Sequence, residues 1–137
     1  MEDWDKIVED WDKIVEDLES RGFCKINYPY FYSEGLGIGA KITEIHEYVS
    51  HVLAYEWLGG LTCKPYFVEF SKDTKLVVLY MEHLTGEEVT RSEALEMEHL
   101  LDSLAIRHND LHPGNILRVS PTKLKVIDWE CMFVPEP

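Results

Sequence analysis

Residues 107–130 read Arg107-His108-Asn109-Asp110-Leu111-His112-Pro113-Gly114-Asn115-Ile116-Leu117-Arg118-Val119-Ser120-Pro121-Thr122-Lys123-Leu124-Lys125-Val126-Ile127-Asp128-Trp129-Glu130. Two carboxylates, Asp110 and Asp128, bracket Asn115. Ile116, Leu117 and Val119 are apolar, Ser120 to Lys123 are turn-forming, and Leu124, Val126 and Ile127 resume the apolar pattern. That pattern predicts two short strands around a turn. A hairpin of this length returns the chain to its start and brings Asp128 beside Asn115. A carboxylate and a carboxamide carbonyl are hard oxygen ligands that suit Mg²⁺. Asp110 lies on the loop that feeds the hairpin, where it can orient a hydroxyl and take its proton. A single loop Asp is usually a turn residue, so the weight rests on the three together. His108, Asp110 and His112 alternate, but no zinc spacing completes a metal set and Pro113 interrupts a strand there. His112 reads as a hydrogen-bonding residue of the loop.

The stretch resembles the protein-kinase-like superfamily, most nearly its aminoglycoside and choline kinase branch. His108-Asn109-Asp110 stands where the family has H-x-D, and His112-Pro113-Gly114-Asn115 is similar to that branch's H-P-G-N. Ile127-Asp128-Trp129-Glu130 stands where protein kinases have D-F-G. The resemblance implies ATP and Mg²⁺ as cofactors and phosphoryl transfer to a hydroxyl. It makes Asp110 the base, Asn115 and Asp128 the metal ligands, and His108 a structural prop. The motifs that carry it lie from residue 107 onward, and the element order follows it from about residue 64.

Composition bounds the reading. The 137 residues fit one domain with a real core, about half of what a complete kinase of the resembling family needs. The net charge of -13 argues against nucleic acid or an anionic membrane as the main partner. Cys24, Cys63 and Cys131 are odd in number and widely spaced, which points to free thiols and a cytoplasmic, reducing setting. The acidic start is no signal peptide, and no apolar run is long enough to span a membrane.

Residues 2–8 and 9–15 are the same heptad, E-D-W-D-K-I-V. Trp4, Ile7, Val8, Trp11, Ile14, Val15 and Leu18 form one stripe at helical spacing, and Gly22 is a plausible stop. Nine acids against two lysines between Glu2 and Glu19 give a net -7. The stripe either packs on its own domain or takes a partner, a second copy included. Residues 23–32 are aromatic and strand-prone. Their four rings from Tyr28 to Tyr32 suit sheet packing, with ligand stacking as the rarer use.

Gly35-Leu36-Gly37-Ile38-Gly39 looks like a phosphate loop, but the spacing is G-x-G-x-G and a helical pattern follows. It reads as a flexible connection before a helix over residues 41–58, ended by Gly59-Gly60. In the resembling family a Glu of the corresponding helix pairs with a strand Lys. That implies Glu47, with Glu44 second. Lys25, in the strand-like F-C-K-I, is the candidate cation for phosphates. Lys41 lies too close to Glu47 in sequence to repeat that pairing, and the sequence leaves open which of the two lysines meets the phosphates. Pro65 opens a strand, residues 71–75 turn, and Leu76 to Met81 read as a central strand. Residues 82–86 stand where the family has its adenine-binding hinge. A helix over residues 91–106 leads into the loop.

The predicted fold is α+β. It is a partial protein-kinase-like fold with a small antiparallel sheet, helices and a catalytic-loop hairpin, and without a helical C-lobe. Residues 1–20 form the acidic helix, 21–89 a reduced N-lobe-like sheet and helix, and 90–137 the helix and metal-binding hairpin. The resemblance implies a phosphotransferase acting on a small hydroxyl compound or a protein. The alternative is a non-catalytic module that binds nucleotide or a protein partner.

Overall fold

The structure is a computed structural model, and it describes residues 4–27, 29–106, 108 and 111–127. The chain divides into two compact units. One holds the residues up to Tyr48 with Pro65–His83, and the other holds Val49–Lys64 with the residues from Leu84 onward.

The first unit opens with α1, Trp4–Ser20. Its stop uses Gly22 at φ 91°. The Phe23 N–H reaches the Leu18 carbonyl at 3.0 Å and the Gly22 N–H reaches Glu19 at 3.1 Å, so the last carbonyls are satisfied. Leu18 and Phe23 are buried together with Phe31, Ala40, Ile42, Val78 and Tyr80, and Trp11, Ile14 and Val15 pack on that cluster. Ile7 is also buried, so the stripe is used from Ile7 onward, while Trp4 and Val8 stay exposed. Asp10 Oδ2 accepts from Ser71 Oγ at 2.6 Å and from Thr74 Oγ1, which ties the helix to a turn of the sheet.

That sheet is antiparallel, in the order β1-β2-β3-β5-β4. Its strands are β1 Cys24–Asn27, β2 Tyr30–Ser33, β3 Ile38–Glu44, β4 Pro65–Phe70 and β5 Leu76–Glu82. Two sequence expectations are corrected here. The glycine-rich stretch joins two strands: residues 34–37 make a tight turn with Gly37 at φ 69°, its N–H bonded to the Ser33 carbonyl at 2.8 Å. Residues 41–44 belong to β3, and α2 begins only at Ile45, running Ile45–Leu58. The physical reason is pairing. All seven residues of β3 lie opposite β5, from Ile38↔Glu82 to Glu44↔Leu76, and that ladder outweighs the local helical pattern.

The second unit has its own core of Ala54, Leu58, Val89, Ala94, Met97, Leu101, Ile106, Ile116 and Val126. α3, Arg91–Ser103, starts at a capping box: Glu93 N–H donates to Thr90 Oγ1, and the Glu93 carboxylate accepts from the Thr90 N–H. It ends three residues earlier than the sequence pattern suggested. The Ile106 N–H bonds the Leu101 carbonyl at 2.9 Å and the Ala105 N–H bonds Asp102 at 3.0 Å, with Ala105 at φ 61°. A small sheet follows, β6 Glu87–Glu88, β7 Ile116–Ser120 and β8 Lys123–Val126, in the order β6-β7-β8. The predicted hairpin is present as β7 and β8 with residues 121–122 at the turn. Among the described residues, the only helical turn after α3 is the 3₁₀ turn Pro113–Asn115.

Candidate functional site

Strand alternation decides which lysine meets Glu47. Directly opposed residues of an antiparallel pair share a face, and neighbours along a strand point to opposite faces. Tyr30 lies opposite Lys41 and Phe31 opposite Ala40. Lys41 and Thr43 therefore project on one face of the sheet, while Phe31, Ala40 and Ile42 project onto α1. Glu47, in the first turn of α2, accepts from both Lys41 Nζ and Thr43 Oγ1. The Lys41 and Glu47 side chains are only 13% and 11% exposed. Burial makes this pair costly to break, because the survivor would be a charge held away from water.

Lys25 does not stand there. It lies opposite Phe31, on the other face of the sheet, and is exposed. The Lys partner of Glu47 is Lys41. Six residues separate the two because the strand ends at Glu44 and the helix starts at once. The sequence reading missed this by assigning Lys41 to a helix.

In the second unit the loop residues converge on the hairpin mouth. Asn115 is buried and closes the 3₁₀ turn through its N–H to the His112 carbonyl, 2.9 Å. Its own carbonyl accepts from the Ile127 N–H at 2.9 Å, and the Ile127 carbonyl accepts from His108 Nε2 at 2.9 Å. His108 is buried and acts as the prop that the resemblance implied. Ile127, the residue before Asp128, is thus pinned on both sides of its backbone. Asp110 and Asp128 themselves lie outside the described residues.

His112 adds a feature that sequence reasoning left vague. Its Nδ1 accepts from the Gly114 N–H at 3.0 Å, and its Nε2 lies 3.2 Å from Asn115 Nδ2. The His112 ring thereby lies against the Asn115 carboxamide. A Cβ at Gly114 would meet His112 Cε1 at 2.8 Å, which is why glycine stands there.

Asn115 carries one hard carbonyl oxygen of the kind Mg²⁺ takes. Among the described residues no group of three or more His, Cys, Asp or Glu side chains forms a metal cluster. The electrostatics elsewhere are local. Burial pushes the Tyr80 phenol up, assisted by its hydrogen bond to Glu69.

No protein-family model matches the sequence, and no curated protein matches it. The solved structures do. A 2.2 Å crystal structure of WbdD aligns with a TM-score of 0.59 at 16% identity, covering 83% of this chain and 33% of that one. A co-crystal structure of WbdD with the kinase inhibitor LY294002 aligns at 0.59 and 17%, covering 82% and 33%. The fold is kinase-like. It is an α+β fold with a small antiparallel sheet flanked by helices, and it matches part of a kinase-like fold. The chain spans about a third of the WbdD chains it matches. At this identity the likeness is one of fold. No helix of the described residues is long and apolar enough to cross a membrane.

Proposed function

We propose that this chain is a kinase-like phosphotransferase domain that binds ATP with Mg²⁺ and directs transfer to a hydroxyl compound. The observation that supports this most is the buried Lys41–Glu47 pair on a kinase-like sheet. Lys41 takes the role first given to Lys25: its ammonium, fixed by Glu47, meets phosphate charge. Asn115 and Asp128 supply oxygen ligands to Mg²⁺, with the His112 ring against the Asn115 amide nitrogen and His108 fixing the backbone before Asp128. Asp110 accepts the proton of the attacking hydroxyl. Bound Mg²⁺ would neutralise charge on the phosphates.

A second reading is a domain that holds nucleotide without transferring phosphate. Transfer needs a substrate held in line in a preorganised site. The described residues after α3 are a loop and one hairpin, which motivates this reading.

Titration calorimetry of ATP into the purified chain, with Mg²⁺ and with chelator, tests the shared part. Mg²⁺ should strengthen ATP binding, and Lys41→Ala should weaken it. Coincident curves with and without Mg²⁺ would remove the proposed metal role. Phosphate release to water or a hydroxyl acceptor then separates the two readings.

A further inference from the structure

Two motifs remain unused by that reading, the aromatic run of β2 and the glycine-rich stretch. The structure brings them together on the Lys41 face of the first unit. Tyr30 and Tyr32 alternate onto that face, and Gly39 lies opposite Tyr32 and Met81. The Tyr30 hydroxyl occupies the space that a Cβ on Gly39 would fill. Its O–H lies 2.7 Å from His83 Nδ1, with the two rings nearly parallel at 16°. His83 in turn stacks on Tyr32, with centroids 3.9 Å apart and planes 22° apart. Beneath them Leu79 and Met81 are buried. Gly39 therefore makes room for a side chain of the same sheet, not for a phosphate.

We infer that Tyr30, Tyr32 and His83 form a self-held aromatic plug on the Lys41 face, which a planar heteroaromatic ligand must displace to bind there. The inference rests on the nucleotide reading above and deepens it, since the residues it names set access for the base. Burial holds the His83 ring below the usual histidine range, which favours a neutral ring in its hydrogen bond with the Tyr30 hydroxyl. Apparent affinity for a ligand that needs the open state falls by the fraction of chains that are open. Weakening the plug then tightens binding without adding any contact.

Three variants test it, each checked for an intact thermal transition: Tyr30→Phe, His83→Ala and Gly39→Ala. The first removes one hydroxyl and keeps every ring, so it decides the matter if the others do not fold. Mg–ATP and adenosine are titrated separately by calorimetry, adenosine reporting ring entry without phosphate or metal. Tyr30→Phe should tighten both ligands by about 2- to 10-fold, the worth of one hydrogen bond. Gly39→Ala gives an opposite sign under the two roles of that glycine. It tightens binding if Gly39 seats Tyr30 and weakens ATP alone if Gly39 seats a phosphate. Equal or weaker binding by Tyr30→Phe, with the wild type binding ATP in an Mg²⁺-dependent way, overturns the plug and leaves the nucleotide reading intact. No binding of either ligand by any form overturns both.

Discussion

Ala105 is the one described non-glycine residue with positive φ, at 61°. It sits where α3 stops, in the position that glycine fills after α1. A Cβ there costs roughly 1 kcal/mol against glycine. Ala105→Gly is therefore expected to stabilise the chain by about 0.5–1 kcal/mol, read as a shift in the denaturation midpoint at constant slope. Glu93 offers a second residue-level test. Its carboxyl is held below the usual range first by the Thr90 backbone N–H and then by Arg118. The folded chain thus releases this proton at lower pH than the unfolded chain does. Its contribution is fully present above the ordinary Glu range and is lost as pH falls through the depressed folded value. Glu93→Gln should flatten stability against pH in that window and leave neutral-pH cooperativity unchanged. At this scale the sequence was legible where chemistry is local. His108 as a prop follows from its motif and is seen bonded to Ile127. The contacts of His112 with Gly114 and Asn115 were not legible, because they depend on where the Gly114 N–H points.

Elements were legible where one period dominated. α1 and its Gly22 stop, the β4 and β5 strands and the β7–β8 hairpin all follow from alternation, spacing and turn residues. The exception is residues 38–58. Lys41-Ile42-Thr43-Glu44 fits a helix pattern in isolation, yet its partner β5 lies more than thirty residues on, and only that pairing makes it a strand. Read as part of a helix, Lys41 is too close to Glu47 to pair with it; placed on β3, it reaches Glu47 directly. α1 supplies the test at this scale. Leu18 is fully buried in the sheet cluster, whereas Trp4 is 70% exposed. Leu18→Ala should cost about 2–5 kcal/mol. Trp4→Ala should stay within about 0.5 kcal/mol of the parent. Deleting residues 2–8 should leave a cooperative transition, because the second heptad copy holds the packing on the sheet; loss of that transition would refute the assignment. Thermal and denaturant melts of the three forms give the answer.

For the whole molecule the decisive question is whether nucleotide and metal are linked. On the proposed reading, Asn115 would contribute a neutral oxygen and Asp128 a full charge. Mg²⁺ held by so few protein oxygens keeps several waters and draws its remaining ligands from phosphates. The chain alone should then bind Mg²⁺ weakly, and ATP and Mg²⁺ should strengthen each other by the same factor, as linkage requires. Asp128→Asn removes the charge and should abolish most of that coupling while leaving metal-free ATP binding in place. Asp110→Asn removes the base and keeps the metal ligands, so it should spare the coupling and eliminate transfer. The two variants therefore differ in kind, which loss of activity alone would not reveal. If both lose coupling together, the loop acts as one structural unit and the separate roles are wrong. If neither changes it, the metal ligands lie elsewhere. Calorimetry of ATP across a series of Mg²⁺ concentrations, on the parent and both variants, distinguishes these outcomes by the size of one shared factor.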